Sequence, residues 1–188
     1  MFSYHDRLKE VISSNKLRID TGIDLLVREI LSRRTPRKNI WLIGNGGSAS
    51  NAEHFETDIS FIRHDEISEL PMVSALTSNS ALVTAASNDT SYEDIFKVLI
   101  KRKARKGDLL VSISASGNSQ NVVNGILQAK IQGVTTFSLL GFDGGKAKFI
   151  SDQSLVVSTN FGEYGIVEDV HLSILHAVSV GILRKMSQ

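Results

Sequence analysis

The sequence contains no cysteine among its 188 residues. This absence excludes a disulfide framework, a thiolate nucleophile and any metal site or cluster held by cysteine. An excess of charge of one sign is missing too, because 21 Lys and Arg offset 20 Asp and Glu to leave a net charge of +1. That balance excludes the strongly basic surface of a dedicated nucleic-acid-binding protein.

Long apolar runs are also missing. No unbroken apolar stretch approaches the roughly 18 residues that cross a bilayer. Asp6 and Arg7 place charge where a signal peptide needs its apolar segment. We therefore expect a cytoplasmic protein with no membrane partner.

Only Pro36 and Pro71 interrupt the chain, which has no repeat, and its length predicts a single domain over residues 1–188.

The N-terminal stretch predicts one long helix. Apolar residues recur at three- and four-residue spacing over residues 5–34, and Thr35-Pro36 ends the pattern. A helix with this much apolar surface, placed ahead of any strand, needs a partner surface. We expect residues 1–35 to cover the protein's own core and also to pack against a copy of the chain, with residues 36–188 forming an α/β core.

The rest of the chain alternates short apolar runs with helical patterns. The predicted strands are residues 39–44, 108–114, 134–141 and 155–158. The predicted helices are residues 48–62, 91–103, 119–131 and 164–186. Buried apolar strands that alternate with helices are typical of a parallel sheet covered on both faces. The predicted fold class is therefore α/β, a three-layer sandwich with a parallel sheet and long N-terminal and C-terminal helices.

Two of the predicted strands end in loops suited to an anion. Residues 44–48 read Gly-Asn-Gly-Gly-Ser and residues 114–119 read Ser-Ala-Ser-Gly-Asn-Ser, and each loop runs into a helix. Helix N-termini at the carboxyl ends of parallel strands point free N–H groups at ligands. Neither loop is a Walker phosphate loop, and Ala49 stands where a dinucleotide fingerprint needs its third glycine. Each loop alone also fits ordinary turn and N-cap chemistry, whereas the two together favour a small phosphorylated ligand.

Histidines and carboxylates recur at helical spacing. His54 and Asp58 lie four residues apart after the first loop, so they share one helix face. On the last helix, Glu168 and His176 are eight residues apart, about 80° around the axis, so both can face one cleft. The set offers four ligands for a divalent metal or a general acid–base pair, and chance pairing on helix surfaces gives the same spacing. His171 is expected to be structural, in the core or at an interface.

Six segments carry a family resemblance. They are residues 44–49 (GNGGSA), 52–55 (AEHF), 87–89 (SND), 113–119, 141–145 and 168–176. Through them the chain resembles the sugar isomerase (SIS) domain and, within it, the sedoheptulose 7-phosphate isomerases, also called phosphoheptose isomerases. The match spans nearly the whole chain in order, which is more specific than any single motif.

The resemblance implies an activity and an assembly. The activity is an aldose–ketose isomerase that converts sedoheptulose 7-phosphate to D-glycero-D-manno-heptose 7-phosphate for bacterial lipopolysaccharide, capsule or related glycans. The assembly is a homotetramer with sites at subunit interfaces, holding Zn²⁺ or another divalent metal. The implied substrate contacts are Asn45, Gly46, Gly47, Ser48, Asp58, Asn88, Asp89, Ser114, Ala115, Ser116, Ser119 and Glu168. The implied metal ligands are His54, Asp58, Glu168 and His176.

The chain departs from the family at three of these positions. The family has Glu where this chain has Asp58, Gln where it has Glu168 and Thr where it has Ala115. Asp58 keeps a carboxylate but withdraws it by one methylene, and small displacements of a reacting group are costly. Glu168 adds a negative charge that favours a divalent metal, while it loses an amide donor to substrate.

Two residues are expected to carry the reaction. Moving a proton between C1 and C2 through a cis-enediol needs an acid and a base, and we expect Asp58 and His176 to supply them from opposite sides of the bound sugar. The alternative is a non-catalytic SIS-domain regulator, either a sugar-phosphate sensor or a protein scaffold of the replication-initiator-associating type. Such scaffolds resemble the isomerases but lack the last-helix histidine that is kept here as His176, which favours an enzyme.

Overall fold

The computed structural model describes residues 3–34, 38–62 and 70–187. The strands within these residues are β1 (Asn39–Ile43), β2 (Met72–Ala75), β3 (Leu109–Ser114), β4 (Thr135–Gly141) and β5 (Gln153–Val157). The α-helices are α1 (Tyr4–Leu31), α2 (Gly47–Ser60), α3 (Ser80–Asp89), α4 (Ile95–Lys103), α5 (Gln120–Ile131), α6 (Gly145–Ile150) and α7 (Tyr164–Met186). A 3₁₀ turn at Tyr92–Asp94 leads into α4.

The described strands form one parallel sheet in the order β2-β1-β3-β4-β5. From β1 the chain first adds β2 on one side and then crosses to the other side of β1 to add β3. The strand order therefore reverses between β1 and β3, which pair with Ile40 opposite Leu109 and Ile43 opposite Ser112. Crevices at such reversal points are where open α/β sheets bind ligands.

The sheet is covered on both faces, which confirms the three-layer sandwich. In β1, Ile40 and Leu42 pack with α1, α2 and α7 on one face. Trp41 and Ile43 point the other way and pack with α4, α5 and α6. Successive strand residues point to opposite faces, so a continuous apolar strand needs helices on both sides.

Helix α1 covers the protein's own core, as the sequence predicts. The buried Asn15 side chain donates to the Ser158 carbonyl (3.1 Å) and accepts from the Ser158 amide (3.0 Å), which ties α1 to the end of β5. Gly22 allows close approach, because a Cβ there would lie 2.6 Å from the Leu155 side chain. The helix ends at Leu31 rather than 34, and the predicted boundary at residues 35 and 36 lies outside the described residues.

The sequence pattern does not predict three short elements of the structure. Strand β2 has four residues and lies at the edge of the sheet. Helix α3 buries only Ala86 among its ten described residues, so it has no apolar periodicity to read. Helix α6 has six residues and is too short to show a period. The predicted helix over residues 91–103 begins as the 3₁₀ turn.

Helix α7 contains an 18-residue window that is long and apolar enough to cross a membrane when judged by length and composition alone. Half of that window is buried inside the protein. Its apolar residues, among them Ile166, Val170, Ile174 and Val178, belong to the core shared with α1 and α2. The search of the sequence for unbroken apolar runs did not detect α7, because polar residues interrupt its apolar stretches. Burial on several sides accounts for the composition of α7.

His171 is a core residue with no exposed surface. Burial lowers the pKa of His171 to about 4, and the Leu140 backbone only partly offsets this effect. The ring is therefore neutral in the folded protein at neutral pH. The expectation of a structural histidine is met by a position in the core.

We expect acid to destabilise the fold through His171. Because its folded pKa of about 4 lies below the ordinary 6.5, its stability contribution is complete above pH 6.5 and is lost as pH falls toward 4. The loss is about 3 kcal/mol in all, at about 1.4 kcal/mol per pH unit. Denaturant unfolding between pH 7 and pH 4 measures it. His171→Leu flattens this dependence and the exposed-site control His5→Gln keeps it, whereas parallel curves for wild type and His171→Leu would contradict the prediction.

Candidate active site

A cavity of about 130 Å³ opens at the carboxyl ends of β1 and β3. Its walls are formed by Asn45, Ser48, Ile113, Ser114, Ala115, Ser116, Ser119, Tyr164 and Glu168. The two loops singled out in the sequence therefore meet at the point where the strand order reverses. We call this space the serine pocket.

The hydroxyls of the serine pocket are available to a ligand. Ser114 Oγ accepts the Gly117 amide (3.1 Å) and Ser116 Oγ accepts the Asn118 amide (3.2 Å), so each oxygen is held while its O–H remains able to donate. Ser119 stands at the start of α5 but makes no capping hydrogen bond to any described residue. The N-capping explanation is therefore wrong for Ser119, and its hydroxyl is free for an anion.

A second glycine-rich loop, residues 141–145, packs directly against the serine loop. A Cβ on Gly117, whose φ is +61°, would lie 2.1 Å from the Gly144 carbonyl oxygen. A Cβ on Gly145 would lie 2.3 Å from the Ser116 carbonyl oxygen. The Ala147 amide donates to the Gly117 carbonyl at 2.9 Å. The two backbones are in direct contact, which leaves the wall of the pocket little freedom to move.

The carboxylate of Glu168, a residue of α7, lies beside the first loop at the start of α2. Gly47 is the first residue of α2, and a Cβ there would lie 2.3 Å from Glu168 Oε2. The first turn of a helix has free N–H groups that favour a negative charge. The Asn51 side chain also donates to the Glu168 carbonyl at 2.9 Å. These contacts hold α7 against α2 and aim Glu168 into the serine pocket.

The beginning of α7 is also tied to α1. Arg7 donates two hydrogen bonds to Glu163, at 2.8 and 2.9 Å, and Tyr4 donates to Asp169 at 2.8 Å. The hydrogen bond from Arg7 lowers the pKa of Glu163 to about 2. Glu163 immediately precedes α7, so these bonds position the turn that carries Glu168.

A second group of functional side chains lies farther along α2 and α7. His54 Nε2 lies 2.9 Å from His176 Nε2, and Asp58 approaches the two rings at 3.5 and 3.7 Å. Asp58 and His176 therefore stand side by side, whereas the expectation from the sequence is that they act from opposite sides of the substrate. Both rings are about half exposed, so the group opens to solvent. We call these three residues the histidine cluster.

The histidine cluster fits a divalent metal. Its two imidazole nitrogens and one carboxylate oxygen lie within 4.8 Å of one another. Imidazole and carboxylate are the donors that zinc takes in catalytic sites, where three protein ligands leave one position open. Two zinc-bound nitrogens in tetrahedral geometry are about 3.4 Å apart, close to the 2.9 Å between His54 and His176. The donor set and its spacing therefore accept such an ion.

The structure does not bring every predicted site residue together. The Glu168 carboxylate lies in the serine pocket, outside the group of three described metal-ligating side chains. Asn88 and Asp89 lie exposed at the end of α3, outside the described lining of the pocket. Gly46 is exposed in the first loop. Sequence reasoning missed Tyr164, although its place four residues before Glu168 on the same helix face is a signal for it.

Comparison with known proteins identifies the family of this chain. The sequence profile of the SIS domain matches residues 3–141. The chain belongs to the SIS domain family. Among curated SIS-family relatives, the phosphoheptose isomerase of Helicobacter pylori is 34% identical over 174 residues, covering 93% of this chain and 87% of its own. The probable phosphoheptose isomerase of Thermoplasma acidophilum is 32% identical over 183 residues, covering 96% and 99%.

A solved structure in this family has the same fold. The phosphoheptose isomerase GmhA from Neisseria gonorrhoeae superposes with a TM-score of 0.84 at 26% identity, and the match covers 95% of each chain. The SIS-domain resemblance drawn from the sequence motifs is therefore confirmed, together with the α/β fold.

Proposed function

We propose that this SIS-domain protein is an isomerase that converts sedoheptulose 7-phosphate to D-glycero-D-manno-heptose 7-phosphate, for lipopolysaccharide, capsule or related glycans. The observation that carries the proposal is the separation of the serine pocket from the histidine cluster. Contacts of Gly47 with Glu168 and of His54 with His176 indicate that α2 and α7 run in the same direction. Along the two helices these pairs of contacts are spaced by about two turns, which is about 11 Å of axial rise. An open seven-carbon chain with a phosphate on its last carbon has this reach.

The serine pocket binds the phosphate end in this proposal. Hydroxyl donors from Ser114, Ser116 and Ser119 surround the space, and no charged side chain is needed for them to hold an anion. The Glu168 carboxylate lines the same cavity, so the phosphate binds on the serine side. Glu168 then accepts hydrogen bonds from sugar hydroxyls. Anchoring the remote phosphate supplies binding energy that holds C1 and C2 at the histidine cluster.

His176 and Asp58 transfer the protons. The ketose loses a proton from C1 while O2 gains one, which gives the cis-enediol; O1 then loses a proton while C2 gains one, which gives the aldose. Both carbon protons can pass on the same face of the planar enediol, so neighbouring groups suffice. His176 is suited to the carbon proton because an imidazole nitrogen can accept a proton and return it, and the adjacent Asp58 serves the oxygen proton.

When a divalent metal is bound, His54, Asp58 and His176 would each hold it through one donor atom, with Zn²⁺ the ion we propose, and Asp58 and His176 would transfer protons at the donor atoms left free. When bound, a divalent cation supplies a Lewis acid that polarises the carbonyl and hydroxyl oxygens of the substrate. The sequence proposes Glu168 as a fourth ligand, but its carboxylate lies in the serine pocket and outside the group of three side chains that the structure brings together. Metal analysis of the purified protein tests this, with one ion per chain expected and less in Asp58→Asn.

We propose a homotetramer in the cytoplasm, built through α1. Leu17 of α1 is 81% exposed, more than any other large apolar residue described on that helix. A groove of about 500 Å³ between α1 and α7 is lined by Ile23, Val180 and Arg184 and also by His176. A copy seated in that groove would border the histidine cluster. Light scattering at micromolar concentration is expected to give the tetramer mass, and a monomer would contradict the shared-site proposal.

The function is tested by incubating the protein with sedoheptulose 7-phosphate and following aldose formation, with and without a chelator. We expect turnover that the chelator abolishes and added zinc restores. Binding of the sugar phosphate without conversion would place the protein in the regulator class. The assembled histidine cluster favours the enzyme.

Ser119→Ala is expected to weaken substrate binding without loss of stability. Its hydroxyl makes no capping bond to a described residue, so its removal costs only the ligand contact, which raises KM about tenfold. The same substitution at Ser3, which caps α1 by accepting the Asp6 amide at 3.3 Å, is the control. Ser3→Ala lowers the free energy of unfolding by about 1 kcal/mol and leaves KM unchanged. If Ser119→Ala behaves like Ser3→Ala, Ser119 is a cap after all.

A further inference from the structure

One pocket residue, Asn45, has a side chain whose orientation is set by neighbours outside the pocket. Asn121 is buried in the first turn of α5 with 2% of its surface exposed. Its side-chain amide pairs with that of Asn45 through two reciprocal hydrogen bonds, both 2.9 Å. We propose that Asn121 is a positioning residue that fixes Asn45 as a hydrogen-bond donor to the substrate. The proposal rests on the proposed function, because it takes Asn45 to contact the sugar phosphate.

The orientation of the pair is determined by the backbone. Asn121 Oδ1 accepts the Val122 amide at 2.9 Å, and a backbone N–H can only donate. The atom of Asn121 beside it must therefore be the oxygen, and Nδ2 lies on the other side. Asn45 then has one arrangement in which both reciprocal bonds form, with its Oδ1 toward Asn121 Nδ2.

Tyr92 adds a third hydrogen bond to the pair. Its hydroxyl donates to Asn45 Oδ1 at 3.1 Å. The oxygen of Asn45 thus receives two hydrogen bonds, and its Nδ2 gives one to Asn121. One N–H of Asn45 has no acceptor among the described residues. Since Asn45 lines the serine pocket, that N–H is the group it offers to a phosphate or hydroxyl oxygen.

The polarity of this contact follows from the network. Without Asn121, the side chain of Asn45 can rotate and present its oxygen, which repels the oxygens of a phosphorylated sugar. A freely rotating Asn45 amide must also be ordered when the substrate binds, and that loss of entropy weakens binding. The hydrogen bond from Asn45 lies at the phosphate end of the substrate, away from the reacting carbons. Its loss therefore weakens binding of the ground state and of the transition state equally, and the effect appears in KM.

The test is a double-mutant cycle between Asn45→Ala and Asn121→Ala, with KM and kcat measured on sedoheptulose 7-phosphate. We expect Asn121→Ala to raise KM about tenfold and to change kcat less than twofold. In the Asn45→Ala background the same substitution adds less than a twofold change, because Asn121 acts through Asn45. Equal effects of Asn121→Ala in both backgrounds, or an unchanged KM in the wild-type background, would overturn the proposal.

A second variant covers the case in which Asn121→Ala does not fold. Tyr92 is 58% exposed, so Tyr92→Phe keeps the fold and removes one of the two donors to Asn45. We expect a rise in KM of about threefold that vanishes in the Asn45→Ala background. Gln128→Ala is the matched control, because Gln128 lies two turns along α5 and its side chain bonds Gln132 rather than the turn that carries Tyr92. A KM change in that control as large as in Asn121→Ala would assign the effect to α5 as a whole.

Failure of the proposed function gives a different result. If wild-type protein neither converts nor binds sedoheptulose 7-phosphate in calorimetry, the function is wrong. The same cycle is then measured with inorganic phosphate, which needs only the serine pocket. If phosphate affinity responds to Asn121 only when Asn45 is present, the positioning role stands without the isomerase. If phosphate affinity ignores both residues, the positioning role fails as well.

Discussion

His176→Gln lowers kcat on sedoheptulose 7-phosphate by about 10³-fold or more and leaves the protein folded. General acid–base groups contribute about 10² to 10⁴ to the rate, and Gln keeps the polarity of the side chain while losing the ring nitrogen that can accept and donate a proton. His176 is about half exposed, so its replacement does not open a cavity in the core. The measurement is kcat with thermal unfolding and light scattering on the same sample.

Asp58→Asn is expected to have a comparable effect. Asp58 Oδ1 lies 3.5 Å from His54 and Oδ2 lies 3.7 Å from His176, so an amide there removes the carboxylate that serves both rings. Glu53→Gln is the matched control, because Glu53 is an exposed carboxylate on the same helix α2. Near-normal turnover in Asp58→Asn, or a large loss in Glu53→Gln, would remove Asp58 from the mechanism.

Gly117→Ala is expected to disrupt both the fold and the serine pocket. The added Cβ would lie 2.1 Å from the Gly144 carbonyl oxygen, which belongs to a backbone rather than to a flexible side chain. The loops must separate, and the residue must also hold a φ of +61° that costs an L-residue roughly 1–2 kcal/mol. We expect a loss of about 3 kcal/mol in the free energy of unfolding and a KM at least tenfold higher.

Gly162→Ala separates the effect of backbone strain from the effect of the clash between the two loops. Gly162 has a φ of +92° and no described heavy atom within 4 Å of its would-be Cβ. Its substitution therefore costs only the backbone strain, roughly 1–2 kcal/mol, without change in KM. Equal losses of stability at Gly117 and Gly162 would mean that the contact between the two loops contributes nothing.

Much of the fold follows from local pattern. The apolar runs of β1, β3 and β4 are continuous, so the sequence predicts strands buried on both faces and helices between them. Both ligand loops could be placed as well, because each lies where such a strand ends. What the pattern could not show were β2 and α3, since one is a four-residue edge strand and the other buries only Ala86.

The site was less accessible to sequence reasoning. Spacing places His54 and Asp58 on one face of α2, because both belong to the same helix. It cannot say that Asp58 also meets His176, since that contact depends on how α7 is set against α2. Nor does spacing distinguish a capping serine from one with a free hydroxyl, as at Ser119.

The sequence by itself determined which residues share a strand end or a helix face: the glycine loop, the serine loop, and the histidines and carboxylates at helical spacing. Only the tertiary structure decided how these faces meet. The contact of Gly47 with Glu168 sets α7 along α2, so the imidazoles of His54 and His176 come together while the Glu168 carboxylate turns into the serine pocket. The physical reason is that helical periodicity is a property of neighbouring residues, whereas the register between two helices depends on the packing of side chains distant in the chain.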